Sequence, residues 1–99
     1  MKPMKFFVDT HDHRSKTFPA GINKEQFSEF FAKFEACCEQ EDVVTLRSHI
    51  GLEEGRAYCF NMASSAEQVR RAHEKAGLPF ENITEVSTVT PGDLFLQRK

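Results

Sequence analysis

Between residues 27 and 38, Phe27, Phe30, Phe31, Phe34, Cys37 and Cys38 recur at spacings of three and four. Only a helix lines such residues up on one side, so the pattern predicts an amphipathic helix over residues 24–40 with an aromatic stripe to bury. Asn23 followed by Gln26 supplies a start signal of the capping-box type. A stripe of that width needs a broad surface to lie on, and the rest of the chain offers one as strand-like runs. Met4-Lys5-Phe6-Phe7-Val8 reads as a strand that runs out into a polar loop from Asp9 to Lys16. Val43 to Ile50 and Arg56 to Met62 flank Gly51-Leu52-Glu53-Glu54-Gly55 and read as an antiparallel hairpin. Ser64 with Glu67 opens a second helix whose inner stripe is Ala66, Val69, His73 and Ala76. Gly77 ends it and Pro79 prevents its resumption. Ile83 to Val89 is a last strand, closed by Pro91-Gly92.

The order β-α-β-β-α-β, with right-handed crossovers, has one leading solution. It is a single ferredoxin-like α+β sandwich over residues 1–99, with antiparallel strand order 4-1-3-2 and both helices on one face. Alternation along the strands then assigns the faces. Phe6, Val8, Val44, Leu46, Ile50, Tyr58, Phe60, Met62 and Val86 form an apolar set expected under the helices. Phe7, Asp9, His11, Val43, Thr45, Arg47, His49, Ala57, Cys59, Asn61, Glu85, Ser87 and Val89 form a mixed set expected on the open face. Its apolar members, Phe7, Val43 and Val89 among them, call for cover, and a second copy would supply it as a homodimeric α/β barrel.

Several function classes are excluded on composition. Thirteen basic against fifteen acidic residues leave no electrostatic footprint for nucleic acid. The ten phenylalanines are not interleaved with a basic stripe either. No apolar run is long enough for a membrane span, and the start MKPMKFFVDTH lacks the apolar core of a signal peptide. Three cysteines, two adjacent, make no disulfide framework, so a reduced, cytoplasmic protein is expected.

Chemistry gathers on the mixed face. His11-Asp12-His13 puts alternate imidazoles on an extended segment, a ligand type that suits nickel, zinc, copper or iron. The expected sheet brings Asp9, His11, His49 and Glu85 to one end of that face, with Cys59 deeper and His13 able to swing over the rim. His11 and His49 are expected to share one ion, with Asp9 or Glu85 orienting them. Cys59 is either a small buried hydrophobe or a soft ligand. His73, on an apolar helical stripe, reads as a hydrogen-bonded core histidine pointing into the helix–sheet layer.

Arg56-Ala-Tyr-Cys-Phe60, Ala63-Ser-Ser-Ala-Glu-Gln-Val-Arg70 and Gly77-Leu-Pro-Phe-Glu-Asn-Ile-Thr-Glu-Val86 resemble the small bacterial nickel-binding proteins of the ferredoxin-like class. The resemblance spans residues 43–86 and extends more loosely over Lys5 to Asp9. It implies a dimeric ferredoxin-like fold and divalent nickel, with Asp9, Cys59 and Glu85 at matching positions. His49 falls where relatives often carry an aromatic residue, and His11-Asp12-His13 has no counterpart.

The leading expectation is a cytoplasmic homodimeric protein that binds a divalent transition metal, nickel or zinc. The alternative is a small cofactor-free monooxygenase or isomerase with its cavity on the open sheet face. There His49 or His11 would be the general base and Arg47 would hold a small anionic substrate. A third reading is a dimerisation module without a site.

Overall fold

Each of the six expected elements forms, in the expected order. The computed structural model describes residues 3–91. Strand β1 spans Lys5–Asp12, α1 Lys24–Gln40, β2 Val44–Gly51, β3 Arg56–Ala63, α2 Ala66–Ala76 and β4 Asn82–Val86. A short 3-10 turn, His13–Ser15, follows β1. The strands form one antiparallel sheet in the order β2-β3-β1-β4, which is 4-1-3-2 read from the β4 edge. No helix among the described residues is long and apolar enough to cross a membrane.

The ends of the elements follow from local chemistry. Asn23 and Gln26 close a reciprocal capping box at the start of α1, with Asn23 Oδ1 accepting from the Gln26 amide at 2.8 Å. The second box lies one residue later than expected, between Ser65 and Gln68. Gly77 ends α2 in the left-handed region at φ 69°, which a residue without Cβ adopts at little cost. Strand β1 runs through His11 to Asp12 because β3 pairs these residues with Ala57 and Arg56, beyond the end of the β4 ladder at Thr10. Strand β4 stops at Val86, so Val89 lies beyond it and is exposed. Of the closing pair Pro91-Gly92, Gly92 lies outside the described residues.

The sheet faces are the reverse of the expected assignment. Phe7, Asp9, His11, Ala57, Cys59, Asn61 and Ala63 are buried, and the core cluster joins Phe7 and Ala63 to Phe34 and Cys38 of α1 and Val69 and Ala72 of α2. The helices therefore cover the mixed set of β1 and β3. The apolar set of β1 and β3, from Phe6 and Val8 to Tyr58, Phe60 and Met62, faces away from them. Volume decides this. A helix carrying four phenylalanines fits over a sheet whose facing positions are small, and Ala57, Cys59 and Ala63 leave that room.

Strand β2 adds a second departure, a β-bulge between Thr45 and Arg47. Thr45 pairs with Asn61 and Arg47 with Phe60, so Leu46 is an extra residue and the alternation changes phase across it. Ser48 and Ile50 then fall on the helix side, opposite Cys59 and Ala57. Arg47 and His49 fall on the open side, opposite Phe60 and Tyr58. The extra residue sets Arg47 opposite Phe60, and its guanidinium lies over the Phe60 ring at 4.9 Å.

Candidate metal centre

Asp9 is the centre of a buried polar cluster between the sheet and α2. Its position in the middle of β1, flanked by β3 and β4, fixes it completely, and it has no exposure. One carboxylate oxygen, Oδ1, lies 2.7 Å from His11 Nε2 and 3.0 Å from His73 Nε2. The other, Oδ2, accepts from Asn61 Nδ2 at 2.6 Å. The outer nitrogens of both imidazoles face backbone carbonyls, which only accept. His11 Nδ1 lies 2.8 Å from the Pro79 oxygen and 3.2 Å from that of Thr17, and His73 Nδ1 lies 2.8 Å from the Val69 oxygen. Each Nδ1 therefore carries a proton, and each Nε2 is turned toward the carboxylate. The two rings stack at 5.4 Å between centroids, with Phe34 and Phe80 packed on His73.

Burial by itself would push the Asp9 carboxyl up. The hydrogen bonds and charges of His11 and His73 overcome this and hold it below the usual carboxylate range. For His11 burial works against the charged form, but the Asp9 carboxylate and the carbonyls of Pro79 and Thr17 outweigh it and raise the imidazole. Burial, reinforced by the Asp9 charge, pushes the Cys59 thiol far up, so it stays protonated and accepts from Ser48 Oγ at 3.0 Å.

The donor set fits a transition metal. The three ligand atoms lie within 4.8 Å of one another. Ligands held at about 2.0–2.1 Å by one ion stand roughly 3 Å apart, close to the two nitrogen–oxygen separations here. A carbonyl behind each imidazole is the support that a metal-bound histidine usually has. Asn61 Oδ1 is in addition a buried acceptor without a hydrogen-bond partner among the described residues.

The expected site residues separate accordingly. Asp9 and His11 come together, and Cys59 lies in the same layer beside the cavity described below. His49 does not join them. It pairs with Tyr58 on the open face, whereas His11 pairs with Ala57 on the helix face, so the two cannot share an ion. Glu85 lies opposite Phe7 on the edge strand, exposed and 3.9 Å from Lys5, away from the imidazoles. His13 is exposed at the rim, where its amide donates to the Gly55 oxygen at 2.9 Å. Gly55, at φ 70°, is required there, since a Cβ on it would stand 2.5 Å from the His13 ring.

His73, read from sequence as a core histidine, is the partner that replaces His49. Its direction into the helix–sheet layer was legible, and what concealed its role was the inverted face assignment. Asn61 had a usable signal too, as an amide sharing strand parity with Asp9 and His11.

Above the imidazoles a cavity of about 430 Å³ opens between α1, the sheet and the loop after β1. Its walls are mostly apolar, with Phe18, Ile22, Phe27, Phe31, Phe34 and Leu78 around a floor of His11, His73, Ala57 and Cys59. This is the helix side of the sheet, not the open face where the enzyme alternative would place its cavity.

The SCO4226-like nickel-responsive proteins match this chain over residues 7–86. The chain belongs to that family. The crystal structure of SCO4226 from Streptomyces coelicolor A3(2) superposes with a TM-score of 0.75 at 28% identity, over 86% of this chain and 99% of that one. No curated protein matches. The SCO4226-like match runs from Phe7 within β1 to Val86 at the end of β4, so Asp9, His11 and His73 all lie within it.

Proposed function

We propose that this protein binds a divalent transition metal, nickel before zinc, through Asp9, His11 and His73. The observation that carries this reading is the direction of the two imidazoles. Both Nδ1 atoms are committed to backbone carbonyls, which leaves both Nε2 atoms to converge on one carboxylate oxygen. Such a contact needs a proton on each nitrogen or a cation among the lone pairs. Nickel is named first because the family is described as nickel-responsive. A reduced, cytoplasmic setting belongs to this reading and is supported by Cys37, Cys38 and Cys59, all free thiols.

The same reading includes a homodimer formed through the open face. Val44 and Tyr58 are each more than two-fifths exposed there, beside the half-buried Phe6, Val8, Phe60 and Met62. A contiguous apolar sheet face of this kind is covered in a stable protein, and a second copy presents the complementary surface.

Titration calorimetry with nickel chloride on tag-free protein tests the metal site. His11→Ala and His73→Ala are each expected to weaken binding by about tenfold or more, and His49→Ala to leave it unchanged. Equal affinity for the wild type and a folded His11/His73 double variant would overturn the assignment.

A further inference from the structure

The cavity above the imidazoles has a chemistry of its own. Its wall is a run of aromatic rings, Phe18 on Phe27 at 6.2 Å and Phe27 on Phe31 at 6.0 Å, both stacked, leading inward to Phe34 and His73. At about 430 Å³ it has the size of a small-molecule site, and at interior packing density it would hold on the order of 15 non-hydrogen atoms. The ring nitrogens at its floor are already engaged, by carbonyls outside and by Asp9 inside, so the floor offers apolar faces and not free donors.

The lining's ammonium group enters at the mouth. Lys16 and His13 line it, and no acidic side chain lines any part of the cavity. Lys16 makes no ion pair among the described residues. Its backbone caps the 3-10 turn at φ 63° and donates to the His13 oxygen at 3.1 Å, which fixes where the exposed side chain leaves the loop. An uncompensated ammonium at the entrance of an aromatic slot is complementary to a ligand with an apolar body and one negative end.

We propose that this cavity binds a small organic carboxylate, its apolar body among the phenylalanines and its carboxylate at the mouth on Lys16. The site does not rest on the metal reading, since the charge that would hold the ligand sits at the rim and not on an ion.

The test uses metal-free full-length protein in chelator, titrated calorimetrically with 2-naphthoate, decanoate and the neutral 2-naphthol. Both carboxylates are expected to bind, or the one whose shape suits the slot, and 2-naphthol more weakly. Lys16→Glu, at an exposed turn position, should weaken carboxylate binding by about tenfold, the value of one charge contact, and leave 2-naphthol unchanged. No binding of either carboxylate would overturn the proposal, as would equal affinity for 2-naphthoate and 2-naphthol. So would carboxylate binding that appears only after nickel is added and survives Lys16→Glu, because the ion and not the rim would then hold the ligand.

Discussion

The two faces of the sheet divide the labour against simple expectation. The face under the helices holds a charge, two imidazoles and an amide; the face turned away holds Phe6, Val8, Tyr58, Phe60 and Met62. Hydrophobicity did not choose the covered face. Shape did, because the bulk is on α1 and the small residues are on β3. Burial of polar groups is costly unless they are bonded; here Asp9 gathers the His11 and His73 imidazoles and the Asn61 amide around one carboxylate, and Asn61 Oδ1 is left as a buried acceptor without a partner among the described residues.

The covered layer carries the largest expected effect. Phe34, only 2% exposed and packed on His73 at 4.4 Å, should cost about 3–5 kcal/mol when replaced by alanine, read from urea unfolding. Phe30 on the same helix is 40% exposed, so its replacement should cost under about 1 kcal/mol. Similar losses at both would show that the stripe is not ordered as described.

Asp9→Asn comes next. Removing the charge leaves two imidazoles facing an amide, with an expected cost of about 2–4 kcal/mol in the metal-free protein. The same cluster fixes a pH window. The lowered Asp9 contributes stability above its unfolded value, lost as pH falls through the still lower folded one. The raised His11 contributes stability below its unfolded value, lost as pH rises through the higher folded one. Metal-free protein should therefore be most stable between about pH 4 and 6.5. Nickel should reverse the alkaline loss, because metal competes with the proton for Nε2. Denaturation midpoints from acid to mildly alkaline pH, with and without nickel, check both arms; a flat profile would contradict the cluster.

On the open face the expected effect is on assembly. Phe60→Glu should convert a sedimenting dimer to monomer while changing monomer stability by less than about 1 kcal/mol. A wild type that sediments as a monomer would remove the dimer. Smallest of all is His49→Ala, exposed opposite Tyr58, which should shift stability by no more than about 0.5 kcal/mol and leave the pH profile intact.

Much of this was readable in the sequence and some was not, for identifiable reasons. Helix α1 and its Asn23 cap follow from spacing alone, and strand order follows from element order. The pairing of Asp9 with His11 on one side of β1 follows from their separation by two. What alternation cannot report is which of two parities the helices cover, because that depends on volumes across the layer. Nor can it cross the bulge at Leu46, where one extra residue carries Arg47 and His49 to the far side of the sheet. The true third member, His73, is distant in sequence and reaches Asp9 only once α2 has docked.

One residue described above makes the two faces separately observable. The chain has no tryptophan and a single tyrosine, Tyr58, which stands 41% exposed on the open face. Its ultraviolet emission therefore reports from one side of the molecule only. A change in that emission with protein concentration belongs to the outer surface. Loading of the buried centre or filling of the aromatic slot should pass nearly unseen, unless the sheet itself transmits the event across its thickness.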